Sequence, residues 1–259
     1  MNVSVDPIFL TTTLIKRVLA NNEIGIATGF FFSKEDKVWL ITNKHVIYGD
    51  THTQDNAQPE VDEFKLVLHI NKSDFTKNEE VPITLSIKNK PIWLEHKDKN
   101  IDIVCLPINL DRSKYHFVTI ADDLINVENI KIGFEKLFVM GYPHGWYDSK
   151  HNLPITRIGH LSSPFGVPFQ GFPFMLGDVE THPGMSGSPV FMYLKDYITT
   201  DDKGGLTTNL GAFKYVLLGV YSGQPLWPVT DRITNKTVTI PHSLSVIWFA
   251  SLIKDILDQ

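Results

Sequence analysis

Short apolar runs rich in Val, Ile, Phe and Tyr recur along this chain, and residues that favour turns separate them. Runs of this length and composition are typical of strands rather than helices. Many short strands joined by Gly, Pro, Asn and Asp favour a sandwich or a barrel, so the sequence predicts an all-β fold. The clearest runs are "GIATGFFF" at 25–32, "KVWLITNKHVI" at 37–47, "FKLVLHI" at 64–70, "IDIVCLPI" at 101–108, "KLFVMGY" at 136–142 and "YVLLGVYSG" at 215–223.

The last residues of the chain depart from this pattern. In "SLSVIWFASLIKDILDQ" the apolar residues fall near helical spacing, and Ser243 is suited to cap a helix N-terminus. The sequence therefore predicts a C-terminal helix over 243–259. A composition shift over 109–130, with scattered Asp, Asn and Lys, predicts a division of the remaining chain into halves at 1–120 and 121–242.

Composition narrows the class of protein. Hydrophobic residues make up 42% of the 259 residues and charged residues 20%, which is typical of a globular protein. A formal net charge of −5 without a dense Lys/Arg run argues against a nucleic-acid partner, and no apolar run approaches the roughly 18 residues of a membrane span. Cys105 is the only cysteine and no secretory leader pattern opens the chain, so we expect a cytoplasmic location without disulfides.

Three segments place a reactive side chain beside a predicted strand. His45 follows "VWLIT", and the ordinary pKa of histidine suits proton transfer near neutral pH. Asp102 lies within an apolar run, where a buried carboxylate needs a hydrogen-bonded partner such as a histidine N–H. Each residue alone has an ordinary interpretation: a histidine beside a strand is usually an exposed surface residue without a function, and the carboxylate of Asp102 can face solvent.

The third segment is "THPGMSGSPV", which surrounds Ser186 with small residues before the next predicted strand. A serine hydroxyl is a weak nucleophile unless a nearby base takes its proton. Gly184 has no side chain to cover its backbone N–H, so this N–H and that of Ser186 can point at a developing oxyanion. A glycine-rich turn before a strand is otherwise only a hairpin connection.

The order His45, Asp102, Ser186 along the chain makes the set informative. The histidine and the aspartate lie in the first half and the serine in the second, so the three residues meet only if the two halves close on each other. In such a triad the serine attacks a carbonyl, the histidine carries the proton, and the aspartate orients the imidazole and stabilises its charged form.

These motifs resemble those of trypsin/chymotrypsin-fold serine peptidases, most closely the disulfide-free bacterial branch that includes high-temperature-requirement proteases. The resemblance runs from about residue 25 to 258. It implies two antiparallel six-stranded β-barrels, 1–120 and 121–242, with the active site between them, followed by the C-terminal helix. The matching motifs are "GIATGFFF", "LITNKHVI", "DIVCLP", "FVMGYPHG", "HPGMSGSPV" and "LLGVYSG".

The resemblance assigns a role to each matching catalytic residue. His45 is expected to be the general base, Asp102 the residue that orients it, and Ser186 the nucleophile. The backbone over Gly184, Met185 and Ser186 is expected to form the oxyanion hole.

The resemblance also suggests where a substrate binds. Ser222 and Gly223 are expected on the strand that pairs with the substrate backbone, and Gln224 at the mouth of the primary specificity pocket. Glu180 aligns near the base of that pocket, where an inward carboxylate would favour Lys or Arg in the substrate. The alternative is that Glu180 faces solvent or pairs with a neighbouring Lys or Arg.

Two departures from the family pattern bear on activation. Met185 stands where secreted relatives have the aspartate that pairs with a newly cut N-terminus, so activation by that route is not expected. Ser188 replaces a glycine that many relatives have after the nucleophile, and we expect this change to be tolerated. No PDZ-like segment follows the peptidase unit, so we expect a protease domain by itself.

The sequence therefore predicts a serine endopeptidase that acts on proteins or peptides without a cofactor or metal ion. A regulatory partner protein is possible in this interpretation, and the oligomeric state stays open. An α/β-hydrolase esterase fits poorly because the G-x-S-x-G elbow and the strand–helix alternation are missing. A metal enzyme lacks its ligand motifs. The alternative from another class is a catalytically idle barrel that binds proteins.

Overall fold

A computed structural model of the chain describes residues 5–19, 24–88, 90–125, 127, 133, 135–200, 206–230, 237–241 and 243–259. Strands dominate these residues and the helices are short, so the all-β prediction is confirmed. Within the described ranges no helix is both long and apolar enough to cross a membrane.

The first half of the chain forms an eight-stranded sheet. Its strands lie in the order β5-β4-β1-β2-β3-β9-β8, and β10 pairs in parallel with β2. A separate two-stranded sheet joins β6 Ser86–Ile87 to β7 Lys90–Pro91. The strands of the large sheet are β1 Thr12–Val18, β2 Ile24–Lys34, β3 Lys37–Thr42, β4 Glu63–His69, β5 Asn78–Thr84, β8 Leu94–Glu95, β9 Val104–Ile108 and β10 Ile120–Ala121.

The second half forms a closed six-stranded barrel. Its strands follow the order β11-β12-β13-β18-β15-β14, and β14 returns to pair with β11. A two-stranded sheet of β16 Leu226–Thr230 and β17 Thr237–Pro241 stands apart from the barrel. The barrel strands are β11 Lys136–Gly141, β12 Ile155–Leu161, β13 Phe174–Asp178, β14 Pro189–Thr200, β15 Leu206–Gly223 and β18 Ser245–Phe249.

The prediction of two six-stranded barrels is confirmed for the second half only. In the first half, the pairing among described residues is an open path of strands that ends at β5 and β8. One end strand, β5, carries Pro82 and has no buried residue, and the other, β8, has two residues. A proline offers no N–H to a neighbouring strand, which is why proline-containing strands lie at sheet edges.

The predicted C-terminal helix is shorter than the sequence indicated. Residues Ser245–Phe249 form the barrel strand β18, and helix α2 spans only Ser251–Leu257. The prediction was wrong over 245–249 because an apolar run of this length fits either periodicity. Pairing with β13 and β15 decides it, since it buries Ile247 completely and Trp248 almost completely.

Short helices and a shared core complete the fold. Helix α1 spans His45–Tyr48, and 3-10 turns cover Pro7–Thr11, Gly49–Thr51, Asp122–Ile125 and Pro143–Gly145. One hydrophobic cluster contains side chains from both sheets and from α2. The two halves therefore pack as one body, and the residues between them are held from both sides.

A histidine contact joins the end of β4 to a turn of the second half. The Nε2–H of His69 donates to the carbonyl oxygen of His151 at 2.8 Å, and the amide of Asn152 donates to the carbonyl of Val67 at 2.8 Å. Burial lowers the pKa of His69, the bond to His151 opposes this shift, and the nearby His116 adds to it. His69 therefore resists protonation in the folded protein.

This contact makes stability depend on pH in a defined direction. Because the pKa of His69 is lower in the folded than in the unfolded chain, the unfolded chain binds more protons. We expect the free energy of unfolding to fall as the pH drops from about 7.5 to 5.5, through the ordinary histidine range. In urea titrations His69→Gln should show a smaller fall, with His160→Gln as control for an exposed histidine. An unchanged pH dependence in His69→Gln would contradict this role.

Candidate active site

His45 and Asp102 lie side by side because their strands are neighbours. His45 follows β3 and Asp102 precedes β9, and these strands pair in antiparallel register with Thr42 opposite Val104. The Nδ1 atom of His45 is 2.7 Å from Oδ2 of Asp102, and the backbone N–H of His45 donates to Oδ1 at 2.9 Å. Both carboxylate oxygens therefore hold the histidine, one through its ring and one through its backbone.

The Asp102 carboxylate is nearly inaccessible to solvent, at 4% exposure. Burial acts to raise its pKa, but the charge and hydrogen bonds of His45 and the hydroxyl of Ser222 outweigh burial. The pKa of Asp102 consequently lies below its ordinary value and the group stays ionised. Ser222 donates to Oδ2 at 2.5 Å, and the amide of Asn43 donates to the Asp102 carbonyl oxygen at 2.7 Å.

Ser186 lies in the loop before β14 and meets this cluster through Ser222. Its hydroxyl donates to the carbonyl oxygen of Ser222 at 3.2 Å. Among the contacts of the described residues, no hydrogen bond joins Ser186 to His45. Ser222 thus contacts Asp102 with its side chain and Ser186 with its backbone. Through these contacts and the His45–Asp102 hydrogen bond, the three predicted residues His45, Asp102 and Ser186 lie around Ser222. The sequence placed Ser222 only on the substrate strand.

The loop around Ser186 depends on two glycines in the left-handed region, Gly184 at φ +93° and Gly187 at φ +85°. A Cβ on Gly184 would lie 2.5 Å from the Tyr142 carbonyl oxygen, and one on Gly187 would lie 2.2 Å from the Thr28 carbonyl oxygen. Any other residue would clash with backbone at both positions. The loop conformation therefore requires glycine twice.

Two of the three predicted oxyanion-hole residues keep a free donor. Across the described chain, the backbone N–H groups of Gly184 and Ser186 have no acceptor. The N–H of Met185 donates instead to the carbonyl oxygen of His182 at 3.1 Å, so Met185 adds no donor to the oxyanion site. Its side chain is fully buried in the barrel core, where it anchors the loop.

Glu180 does not point into a specificity pocket. Its side chain is 74% exposed and forms an ion pair with Arg157, whose Nε–H also donates to the Glu180 carbonyl oxygen at 2.9 Å. His182 approaches the other carboxylate oxygen at 3.9 Å. The inward orientation of Glu180 suggested by the alignment is thus wrong. The structure agrees with the alternative, in which Glu180 pairs with a neighbouring cation, here Arg157. The expected preference for Lys or Arg loses its basis.

Uncharged side chains form hydrogen bonds between the segment before the Ser186 loop and the end of β15. The amide of Gln224 donates to the carbonyl oxygen of Thr181 at 3.2 Å and so bridges the two segments. The Thr181 hydroxyl in turn donates a hydrogen bond to the phenol oxygen of Tyr221 at 2.8 Å and lies 3.2 Å from the hydroxyl of Ser245. Gln224 therefore joins the segment before the Ser186 loop to the end of β15.

A buried ion pair stands directly beside His45, and the sequence did not point to it. The ammonium of Lys44 lies 2.9 Å from a carboxylate oxygen of Glu95, and only 8% of its side chain is exposed. The other carboxylate oxygen accepts from Tyr48 at 2.7 Å and from the indole of Trp93 at 2.6 Å. The only sequence signal was a lysine inside the apolar run "VWLITNKHVI".

Glu95 stays charged although it is partly buried. Burial acts to raise its pKa, but the hydrogen bonds from Lys44, Trp93 and Tyr48 and the charge of Lys44 outweigh burial, and the pKa of Glu95 lies below its ordinary value. In the described part of the chain, no group of three or more His, Cys, Asp or Glu side chains is arranged to hold a metal ion.

Comparisons with known proteins show the family to which the chain belongs. The model of the family described as a trypsin-like peptidase domain matches residues 27–195, which is more than half of the chain. No curated protein matches the sequence.

Solved structures share the fold at low sequence identity. The serine endoprotease from Yersinia pestis has a TM-score of 0.52 and 13% identity over 99% of this chain, which spans only 66% of that protein's length. A thermostable serine protease, AL20, from an extremophilic microorganism has a TM-score of 0.53 and 9% identity, with 97% of each chain covered. The protease Anisep from Arthrobacter nicotinovorans has a TM-score of 0.51 and 11% identity, with 95% of this chain and 93% of that one covered.

The Lys44–Glu95 pair yields a stability prediction. Glu95→Gln keeps the shape of the side chain but leaves the Lys44 ammonium buried without a counter-charge. We expect the free energy of unfolding, from urea titration, to fall by about 3 kcal/mol. The double variant Lys44→Met with Glu95→Gln removes both charges and should recover most of this loss. A single variant as stable as the wild type would show that the pair is not stabilising.

Proposed function

The chain is a serine-type peptidase of the trypsin-like peptidase domain family, and from this premise we propose that it cleaves internal peptide bonds through Ser186, His45 and Asp102. The observation that carries the proposal is the hydrogen-bonded His45–Asp102 pair, which Ser222 joins to Ser186. Family membership implies a protein or peptide as substrate.

Acylation begins with a rotation of the Ser186 hydroxyl. In the resting protein this hydroxyl donates to the carbonyl of Ser222, so it must turn toward Nε2 of His45 to become a nucleophile. His45 then accepts the proton while the serine oxygen bonds to the substrate carbonyl carbon and the carbonyl π electrons move to its oxygen. The ionised Asp102 stabilises the imidazolium that forms.

The tetrahedral intermediate is stabilised by the two free backbone donors. The N–H groups of Gly184 and Ser186 bind its oxyanion, and each such donor is worth about 10²–10³ in rate. The oxyanion then re-forms the carbonyl, the C–N bond breaks, and His45 returns its proton to the leaving amine. A water molecule next attacks the acyl-enzyme with His45 again as the base, which releases the acid product and restores Ser186.

Substrate binding uses the end of β15. The backbone of an extended substrate pairs with Ser222 and Gly223, as in strand addition to a sheet. The side chain before the cleaved bond then lies beside Ser186, next to the hydrogen bond between Gln224 and Thr181. We propose that this site takes small, uncharged side chains, since Gln224 bridges its mouth and the carboxylate of Glu180 is paired outside it.

One further observation favours a second candidate. Because Ser186 bonds to Ser222 rather than to His45 in the resting protein, a catalytically idle barrel that binds proteins is the competing function. A regulatory partner that induces the rotation of Ser186 would belong with the peptidase. The cytoplasmic location rests on the single cysteine, Cys105, and it stays a prediction.

A fluorophosphonate probe separates the two functions. We expect one covalent adduct by intact mass on the wild type and none on Ser186→Ala, because only an activated hydroxyl reacts with such a probe. Asp102→Asn should label far more slowly, since the buried carboxylate holds the histidine. A wild type that neither labels nor cleaves a protein substrate would favour the idle barrel. Equal labelling of wild type and Ser186→Ala would show that another residue is the nucleophile.

The specificity proposal is tested with peptides that differ only in the residue before the cleaved bond. We expect kcat/KM of the wild type to be highest for Ala, Ser or Val. Gln224→Gly should raise the ratio for Leu over Ala by at least about tenfold, because it opens the mouth. Glu180→Gln is the matched control and should leave the ratio for Lys over Ala unchanged. A wild type that prefers Lys or Arg, with the preference lost in Glu180→Gln, would contradict the proposal.

A further inference from the structure

Thr28 is a fully buried residue of β2 whose polar groups are all hydrogen-bonded. Its backbone N–H donates to the carbonyl oxygen of Ser186 at 2.9 Å, and its hydroxyl donates to the carbonyl oxygen of Gly184 at 2.8 Å. The same hydroxyl oxygen accepts from the N–H of Tyr142 at 3.2 Å, and the Thr28 carbonyl accepts from the Thr42 hydroxyl at 2.8 Å.

These partners come from both halves of the molecule. Gly184 and Ser186 belong to the nucleophile loop of the second half, and Tyr142 follows the barrel strand β11. Thr42 ends β3, three residues before His45. One residue of the first half, Thr28, is thus hydrogen-bonded to the loop that carries Ser186, where the two halves meet.

The contacts fix the planes of consecutive peptide groups in the loop. A peptide group is planar, so holding its carbonyl oxygen also sets the direction of the N–H on the other side. Thr28 donates hydrogen bonds to the carbonyl oxygens of Gly184 and Ser186, which fixes the peptide groups that follow these two residues. The peptide group between these two carries the free N–H of Ser186. That middle plane is held by Ser188, whose N–H donates to the Met185 carbonyl at 2.9 Å.

The plane that carries the free N–H of Gly184 is held from outside the loop. The N–H of His144 donates to the Pro183 carbonyl oxygen at 2.6 Å, and His144 itself is in the left-handed region at φ +52°. The next plane along the chain is the one that the Thr28 hydroxyl holds. Rotation of Gly184 is therefore restrained on both sides, although glycine by itself has the widest backbone freedom.

We propose that Thr28 is a positioning residue for the oxyanion site, through the hydrogen bond of its hydroxyl to Gly184. The inference rests on the proposed function, because it concerns the same Ser186 chemistry. Thr28 touches no substrate atom; it acts by keeping the N–H groups of Gly184 and Ser186 aimed at one point. Preorganised donors contribute to rate because they need no reorientation when charge develops.

Thr28→Val tests this role because it keeps the shape and the backbone bonds but removes the hydroxyl. With a peptide substrate we expect kcat to fall by about tenfold to a hundredfold while KM changes little, since the lost interaction matters in the transition state. Thr28→Ser keeps the hydroxyl and should restore most of the wild-type kcat. Thr13→Val removes another buried threonine hydroxyl, bonded to the Val67 carbonyl at 3.3 Å, and should leave kcat unchanged.

Amide hydrogen exchange of peptides spanning residues 181–188 measures the same restraint without catalysis. We expect faster exchange there in Thr28→Val than in the wild type, Thr28→Ser or Thr13→Val. If the wild type proves inactive, the proposed function fails, and this exchange measurement still decides the role of Thr28. Should Thr28→Val not fold, Thr28→Cys replaces it, because a thiol is a weaker donor and should give an intermediate effect.

Wild-type kcat in Thr28→Val together with unchanged exchange over 181–188 would overturn the proposal. So would an equal loss of kcat in Thr28→Ser and Thr28→Val, because the hydroxyl would then not be the group that matters. A loss of stability in Thr28→Val like that in Thr13→Val, without a loss of kcat, would assign Thr28 a purely structural role.

Discussion

The buried carboxylate of Asp102 is the constraint on which the arrangement between the two halves depends. A charged group without water must be fully hydrogen-bonded, or the fold is strongly destabilised. Its partners are the ring and backbone of His45 from the first half and the hydroxyl of Ser222 from the second. Satisfying this one group therefore sets the histidine ring, the end of β15 and the relation between the halves at the same time.

Near His45, the first half buries the carboxylate of Asp102 and the ammonium of Lys44, whereas the carboxylate of Glu180 in the second half lies at the surface. Lys44 and Glu95 form a second buried ionic group next to His45, which fixes the short helix that begins at the histidine. In the second half, Arg157 pairs with Glu180 at the surface. Exposed pairs of this kind contribute little to stability, but this one keeps the Glu180 carboxylate paired at the surface.

The loop around Ser186 is determined by backbone contacts more than by side chains. Gly184 and Gly187 are the residues that tolerate its turns, and Met185 anchors it in the barrel core. Its carbonyl groups are held by Thr28, His144 and neighbouring loop residues, all within this chain. Among the described residues, the N–H groups of Gly184 and Ser186 have no acceptor, and an oxyanion site requires such unpaired donors.

The sequence by itself determined the strand-rich fold and the glycine-dependent turn around Ser186, and it pointed to His45, Asp102 and Ser186 as candidate catalytic residues. These follow from local composition, from β-strand runs and from the chemistry that each residue type can perform. Only the tertiary structure decided that 245–249 closes a barrel as a strand, that Glu180 turns outward to Arg157, and that Ser222 and Thr28 connect the halves. The physical reason is that strand pairing and side-chain direction depend on partners far along the chain, which local periodicity does not encode.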